Sequence, residues 1–133
     1  MHKRTLTTRA DVEFLVNQFY AVARQDAEIG DLFRMIADEQ WPQHLQTIYR
    51  FWASLLLGEK SYYGNPKQVH WDLLQKQAMT EAHFERWLAI WTATVEQYFT
   101  GERADEAIFR AKTIKTIMVK RLFYKQNGDL LSS

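Results

Sequence analysis

From Asp11 to Arg24 the apolar residues Val12, Leu15, Val16, Phe19, Tyr20 and Ala23 return every third or fourth position, with polar residues between them. That period predicts a helix with one buried face. Thr8 or Asp11 is placed to cap its start, and an acid in the first turn is also favoured by the helix dipole. Ile29-Gly30-Asp31-Leu32-Phe33 then reads as a bend carrying apolar anchors. A second period begins near Trp41 and Pro42, where proline suits a first turn. It runs through His44, Leu45, Ile48, Trp52, Leu55 and Leu56 to Gly58, a plausible terminator. Tyr49 and Phe51 widen the apolar face, so contacts are expected on more than one side of this helix.

The stretch GEKSYYGNPKQ, residues 58–68, is the clearest interruption, with two glycines, Asn-Pro and little helical periodicity. A short segment, VHWDLL, follows and carries His70. A third long helix is expected from near Thr80, with Phe84, Trp87, Leu88, Trp91, Val95 and Tyr98 as its buried stripe. Beyond Gly101, a last helix places Ala104, Ala107, Ile108, Ala111, Ile114, Met118 and Leu122 on one face, small enough in places for close helix approach. No strong strand alternation, repeat or low-complexity tract is evident. The chain therefore reads as all-α, and periodicity leaves open whether five helical segments form a bundle or a globin-like arrangement. One domain over residues 1–133 is expected, with flexible ends at 1–7 and 128–133.

Composition narrows the chemistry. The absence of cysteine removes disulfides, thiolate nucleophiles, cysteine-ligated clusters and covalent haem attachment. Seventeen basic against sixteen acidic residues leave a formal charge of +1, which provides no global drive toward nucleic acid. Six cations between Arg110 and Lys125, with no acid among them, read first as a solvated face near a helix C-terminus and second as a docking patch for an acidic partner. The start MHKRTLTTRADV lacks a secretory apolar stretch, and WASLLLG is far short of the roughly 20 residues that span a bilayer. A cytoplasmic protein without a membrane partner is expected.

The four histidines sort by setting. His2 is terminal, and His83 stands beside Glu81 and Glu85 in a first helical turn, which suits the surface. His44 shares a face with Ile48 and Trp52, as either a satisfied core-edge side chain or a polar group above a small ligand. His70, on a short segment after a loop, is either packed or a positioned ligand. No HExxH, ExxH, P-loop or dinucleotide-binding glycine pattern occurs. Noncovalent haem needs one axial nitrogen, an apolar slot and few polar groups over the open iron face. His70, the aromatics on several helices, and the tips of Tyr20 and His44 meet that list, although aromatic stripes are more often ordinary core.

The ordered stretches VNQFYAVARQDAEIGDLF, WPQHLQTIYRFWASLLLGEKSYYGNP, VHWDLL and HFERWLAIW together resemble the third group of the truncated haemoglobin family over nearly the whole chain. The lack of a GlyGly pair agrees with that group. The resemblance implies a globin-like, truncated two-over-two helical sandwich around haem b (iron protoporphyrin IX), held noncovalently with His70 as proximal ligand. It matches Tyr20, His44 and Trp87 to the distal tyrosine, histidine and tryptophan, and Phe33 to the phenylalanine at the haem edge. Ile48 and Phe51 fall in the cavity-lining part of the distal helix, with Trp52 nearby. The implied function is reversible binding of O2, CO or NO by a monomer or weak homo-oligomer, with no catalytic residue assigned. Two alternatives stand beside it: a haem-dependent NO dioxygenase or peroxidase supplied by an external reductase, and a non-haem helical interaction module.

Overall fold

The computed structural model describes residues 3–34, 36, 38–58 and 80–132, with side chains through residue 122. A short strand β1 (Arg4–Thr5) leads into helices α1 (Arg9–Ala23) and α2 (Gly30–Phe33), then a 3-10 turn (Asp38–Gln40) and α3 (Trp41–Leu57). Helix α4 (Glu81–Tyr98), strand β2 (Phe99–Thr100) and helix α5 (Glu102–Ser132) follow. Helix α1 packs on α3 and α4, α4 lies along α5, and α3 reaches α5, which makes a two-over-two sandwich.

The start of α1 is set by a reciprocal cap. The Thr8 hydroxyl accepts from the Asp11 backbone N–H at 3.2 Å, while Asp11 accepts from the Thr8 and Thr7 backbone N–H groups at 3.0 Å each. Burial pushes the Asp11 carboxyl up, but the Thr7 and Thr8 donors outweigh it and hold the group below its ordinary value. The cap moves the helix start to Arg9, two residues ahead of Asp11. Val12, Leu15, Val16, Phe19, Tyr20 and Ala23 form the buried face, as their spacing predicts.

The bend at Ile29 to Phe33 contains the one-turn α2, anchored by buried Ile29 and Leu32. A Cβ on Gly30 would stand 2.7 Å from the Arg24 carbonyl oxygen, so glycine lets the start of α2 press against the end of α1. Pro42 occupies the first turn of α3, and Gly58 closes that helix in the left-handed conformation at φ 72°. Trp41, Ile48, Tyr49, Phe51, Trp52, Ala53 and Leu56 are buried, and Leu45 and Leu55 are half-buried. The breadth of that set matches a helix contacted on two sides.

Helix α4 also begins with a reciprocal cap: the Thr80 hydroxyl accepts from the His83 N–H, and His83 Nδ1 accepts from the Thr80 N–H at 3.0 Å. His83 is thus a local capping partner. Ala104, Ala107 and Ala111 of α5 are buried, and the indole N–H of buried Trp91 donates to the Ala107 carbonyl at 3.1 Å. Beyond this core, β1 pairs in parallel with β2, Arg4 opposite Phe99, and Leu6 is buried beside it. These residues lie in the stretch where the sequence suggested a flexible end, and α5 likewise continues through the expected tail to Ser132. No helix among the described residues is long and apolar enough to cross a membrane.

Candidate functional site

Tyr20 lies in the last turns of α1 and His44 in the first turn of α3, and the α1–α3 packing brings their tips together. The Tyr20 hydroxyl is 3.1 Å from His44 Nε2. Around the phenol ring, Phe33, Trp41 and Phe19 each present an edge or face, with centroids 5.5, 5.3 and 5.0 Å away. Tyr20 is therefore fixed on several sides by rings drawn from α1, α2 and α3.

Burial determines the ionisation of this pair. It pushes the Tyr20 hydroxyl well above its ordinary value, so the phenol stays protonated. It pushes the His44 imidazole below 6.5, so the ring is neutral at pH 7. A neutral imidazole has one N–H, which permits two arrangements. Either Tyr20 donates to an unprotonated Nε2, or Nε2–H donates to the phenol oxygen and frees the Tyr20 hydrogen to point elsewhere.

Behind Tyr20 is a small inner cavity of about 20 Å³, large enough for a water-sized guest. Ile48, Phe51 and Trp52 of α3 and Trp87 of α4 help to line it, with Tyr20 forming part of the wall. Trp52 stacks on Trp91 with centroids 4.3 Å apart, and Trp87 meets Phe19 edge-on at 6.4 Å. Seven of the residues singled out in the sequence thus come together: Tyr20 and His44 bond, Phe33 touches the Tyr20 ring, and Ile48, Phe51, Trp52 and Trp87 share the cavity with Tyr20. His70 lies outside the described residues.

Two features carry no advance signal in the sequence. Arg86, beside Trp87 on α4, donates from Nε and Nη2 to Asp26 Oδ1 at 2.9 and 2.8 Å. The other Asp26 oxygen accepts from the Glu28 and Ile29 N–H groups at 2.9 and 3.1 Å, so one carboxylate ties the α1–α2 turn to the helix bearing Trp87. The Arg86 hydrogen bonds hold its pKa below the ordinary 3.8. The second feature is the Arg24 guanidinium, which lies 4.1 Å from the centroid of the Trp41 ring. Trp41 was legible only as one member of an apolar stripe.

Four helices crossing in two layers, with a Tyr–His pair over an aromatic cavity, define a truncated globin. The group 3 truncated haemoglobin ctb of Campylobacter jejuni is 31% identical over 117 residues, covering 86% of this chain and 89% of that protein. The crystal structure of group III truncated haemoglobin from Campylobacter jejuni superposes with a TM-score of 0.79 at 29% identity, covering 91% of this chain and 95% of that one. No protein-family model matches. The chain belongs to the group III truncated haemoglobin family.

Proposed function

We propose that this chain binds haem b noncovalently, that His70 would hold its iron, and that O2, CO or NO would be taken up reversibly beside Tyr20, His44 and Trp87. The Tyr20–His44 pair carries the reading: two polar tips 3.1 Å apart, beside a cavity otherwise walled by aromatic and aliphatic side chains. A porphyrin slot has that character, apolar over most of its area with few polar groups at the reacting face. Phe33, Ile48, Phe51 and Trp52 supply apolar surface next to the pair. The names of the Campylobacter jejuni protein and crystal structure that the chain resembles add support.

When bound, haem would supply an iron centre able to take up a diatomic ligand. The chain's part is to discriminate and retain that ligand. With His44 neutral, the arrangement in which Nε2–H donates to the phenol oxygen releases the Tyr20 hydrogen toward a guest. The same phenol turned to donate to His44 withholds it. Trp87 can only donate, through its indole N–H, so it adds either a second hydrogen bond or bulk. Donors of this kind would favour O2, the better hydrogen-bond acceptor, over CO.

Purified protein is expected to show a Soret band that shifts on adding CO, and His70→Ala should lose it or retain haem far more weakly. A chain that folds yet shows no such band with added haem would exclude the reading. In Tyr20→Phe, loss of one strong hydrogen bond should speed O2 dissociation about 10- to 100-fold. Dissociation as slow as in the parent would remove Tyr20 from the retaining group.

A further inference from the structure

A second and larger pocket, which Tyr20 also helps to line, opens between α1, α2 and the approach to α3. We propose that this pocket is a binding site for a small organic carboxylate, held by Arg24 and packed on Trp41, distinct from the gas-binding cavity. Its volume is about 400 Å³, in the range that takes small organic ligands. Phe33, Ile36 and Trp41 offer apolar wall, while Arg24, Arg34 and Asp38 set its charge.

Arg24 is the principal anchor. Its guanidinium rests 4.1 Å from the Trp41 ring centroid, and among the described residues no carboxylate pairs with it. A stacked guanidinium keeps its in-plane N–H groups available, and those groups match the two oxygens of a carboxylate. Arg34 adds a second cation whose charge is already met by Asp31 at 2.8 Å. Asp38 contributes one negative charge to the lining against the two arginines. With Arg34 met by Asp31 and Asp38 set against Arg24, the lining carries no surplus charge, so the planar Arg24 fork holds a single carboxylate in preference to a dianionic phosphate, and the apolar walls suit a ligand with a hydrocarbon body.

The position gives the site a consequence. Trp41 touches Tyr20 at 5.3 Å and His44 at 5.2 Å, so a ligand seated on Arg24 and Trp41 bears on the rings that hold the distal pair. Gly30 keeps the geometry tight by allowing α2 to close on the Arg24 carbonyl.

The same carboxylate chemistry has two sources, a free small molecule or a propionate of bound haem, and the inference commits to the free one. The test uses the ferrous protein saturated with CO, so that iron offers no place to an anion. The indole N–H resonance of Trp41, identified by its loss in Trp41→Phe, is followed during titration with benzoate at constant ionic strength. A saturable shift is expected with benzoate and none with the neutral isostere benzamide. Arg24→Gln should weaken benzoate binding about tenfold or more. Arg24→Lys, which keeps the charge and helix but loses the planar fork, should lie between. Unchanged affinity in Arg24→Gln, or an equal response to benzamide, would overturn the proposal. So would a benzoate response that emerges only with haem dimethyl ester, because the pocket would then belong to the propionate. The CO-shifted Soret band reports haem binding separately, so failure of the carboxylate site leaves that reading standing, and in a chain that takes up no haem the same benzoate titration is read without CO.

Discussion

The most consequential single contact is the Tyr20–His44 bond, because its direction decides whether the phenol hydrogen faces a guest or the imidazole. Burial holds His44 below its ordinary 6.5, so the pair works with a neutral ring around pH 7. Protonating His44 forces Nε2 to donate and abolishes the arrangement in which Tyr20 donates to it. The sign for stability follows from linkage: the unfolded ring takes up its proton near pH 6.5 and the folded ring only at lower pH. The folded state therefore loses stability as pH falls through that interval, and above it the contribution is fully present. Urea denaturation from pH 7.5 to 5 should show that decline in the parent and a shallower one in His44→Leu. Parallel profiles would remove His44 as its source. Periodicity alone placed Tyr20 and His44 on inward faces of two helices. Their pairing across 24 residues depends on how α1 crosses α3, which no local pattern encodes; the ordered family resemblance placed both on the distal side and did not foresee the bond between them.

At the scale of elements, the helices were legible because each buries a stripe at helical spacing and ends on a recognisable group: Thr8, Gly58, Thr80 and Gly101. The β1–β2 pairing was not, since two residues per strand are too few to show alternation. Nor was the Asp26–Arg86 bridge, whose partners are 60 positions apart. That bridge joins the α1–α2 turn to α4 immediately beside Trp87, and the two oxygens of Asp26 have separable duties. Asp26→Asn keeps an acceptor for the Glu28 and Ile29 N–H groups and weakens the hold on Arg86. Asp26→Ala removes both and leaves the turn's donors without their side-chain acceptor, a further cost of about 1 kcal/mol. The expected order of thermal stability is therefore parent, then Asn, then Ala. If Asn proved as damaging as Ala, the backbone caps would contribute nothing and the ion pair would carry the whole effect.

Across the whole molecule, periodicity could not choose between a bundle and a globin sandwich, because both arrangements bury one stripe per helix. The choice rests on where large rings meet between layers. Trp91 occupies that junction: it stacks on Trp52 of α3, meets Phe19 of α1 at 5.4 Å and donates to the Ala107 carbonyl of α5. One side chain thus touches all three of the other long helices, and it is 1% exposed. Ala107 is fully buried, and a larger residue there would push that carbonyl away from the indole. Trp91→Ala should cost about 3–5 kcal/mol and lower Tm on the order of 10–20 °C. Trp91→Phe retains much of the packing and loses the hydrogen bond, so a loss nearer 1–2 kcal/mol is expected, on the order of one hydrogen bond plus partial volume. Phe109 provides the control on the same helix as Ala107: it is 64% exposed, and Phe109→Ala should change stability by no more than about 0.5 kcal/mol. Calorimetry that ranked Phe109→Ala level with Trp91→Ala would mean that α5 packs on the other layer through a different face, and the sandwich described above would have to be rebuilt from its outer helix.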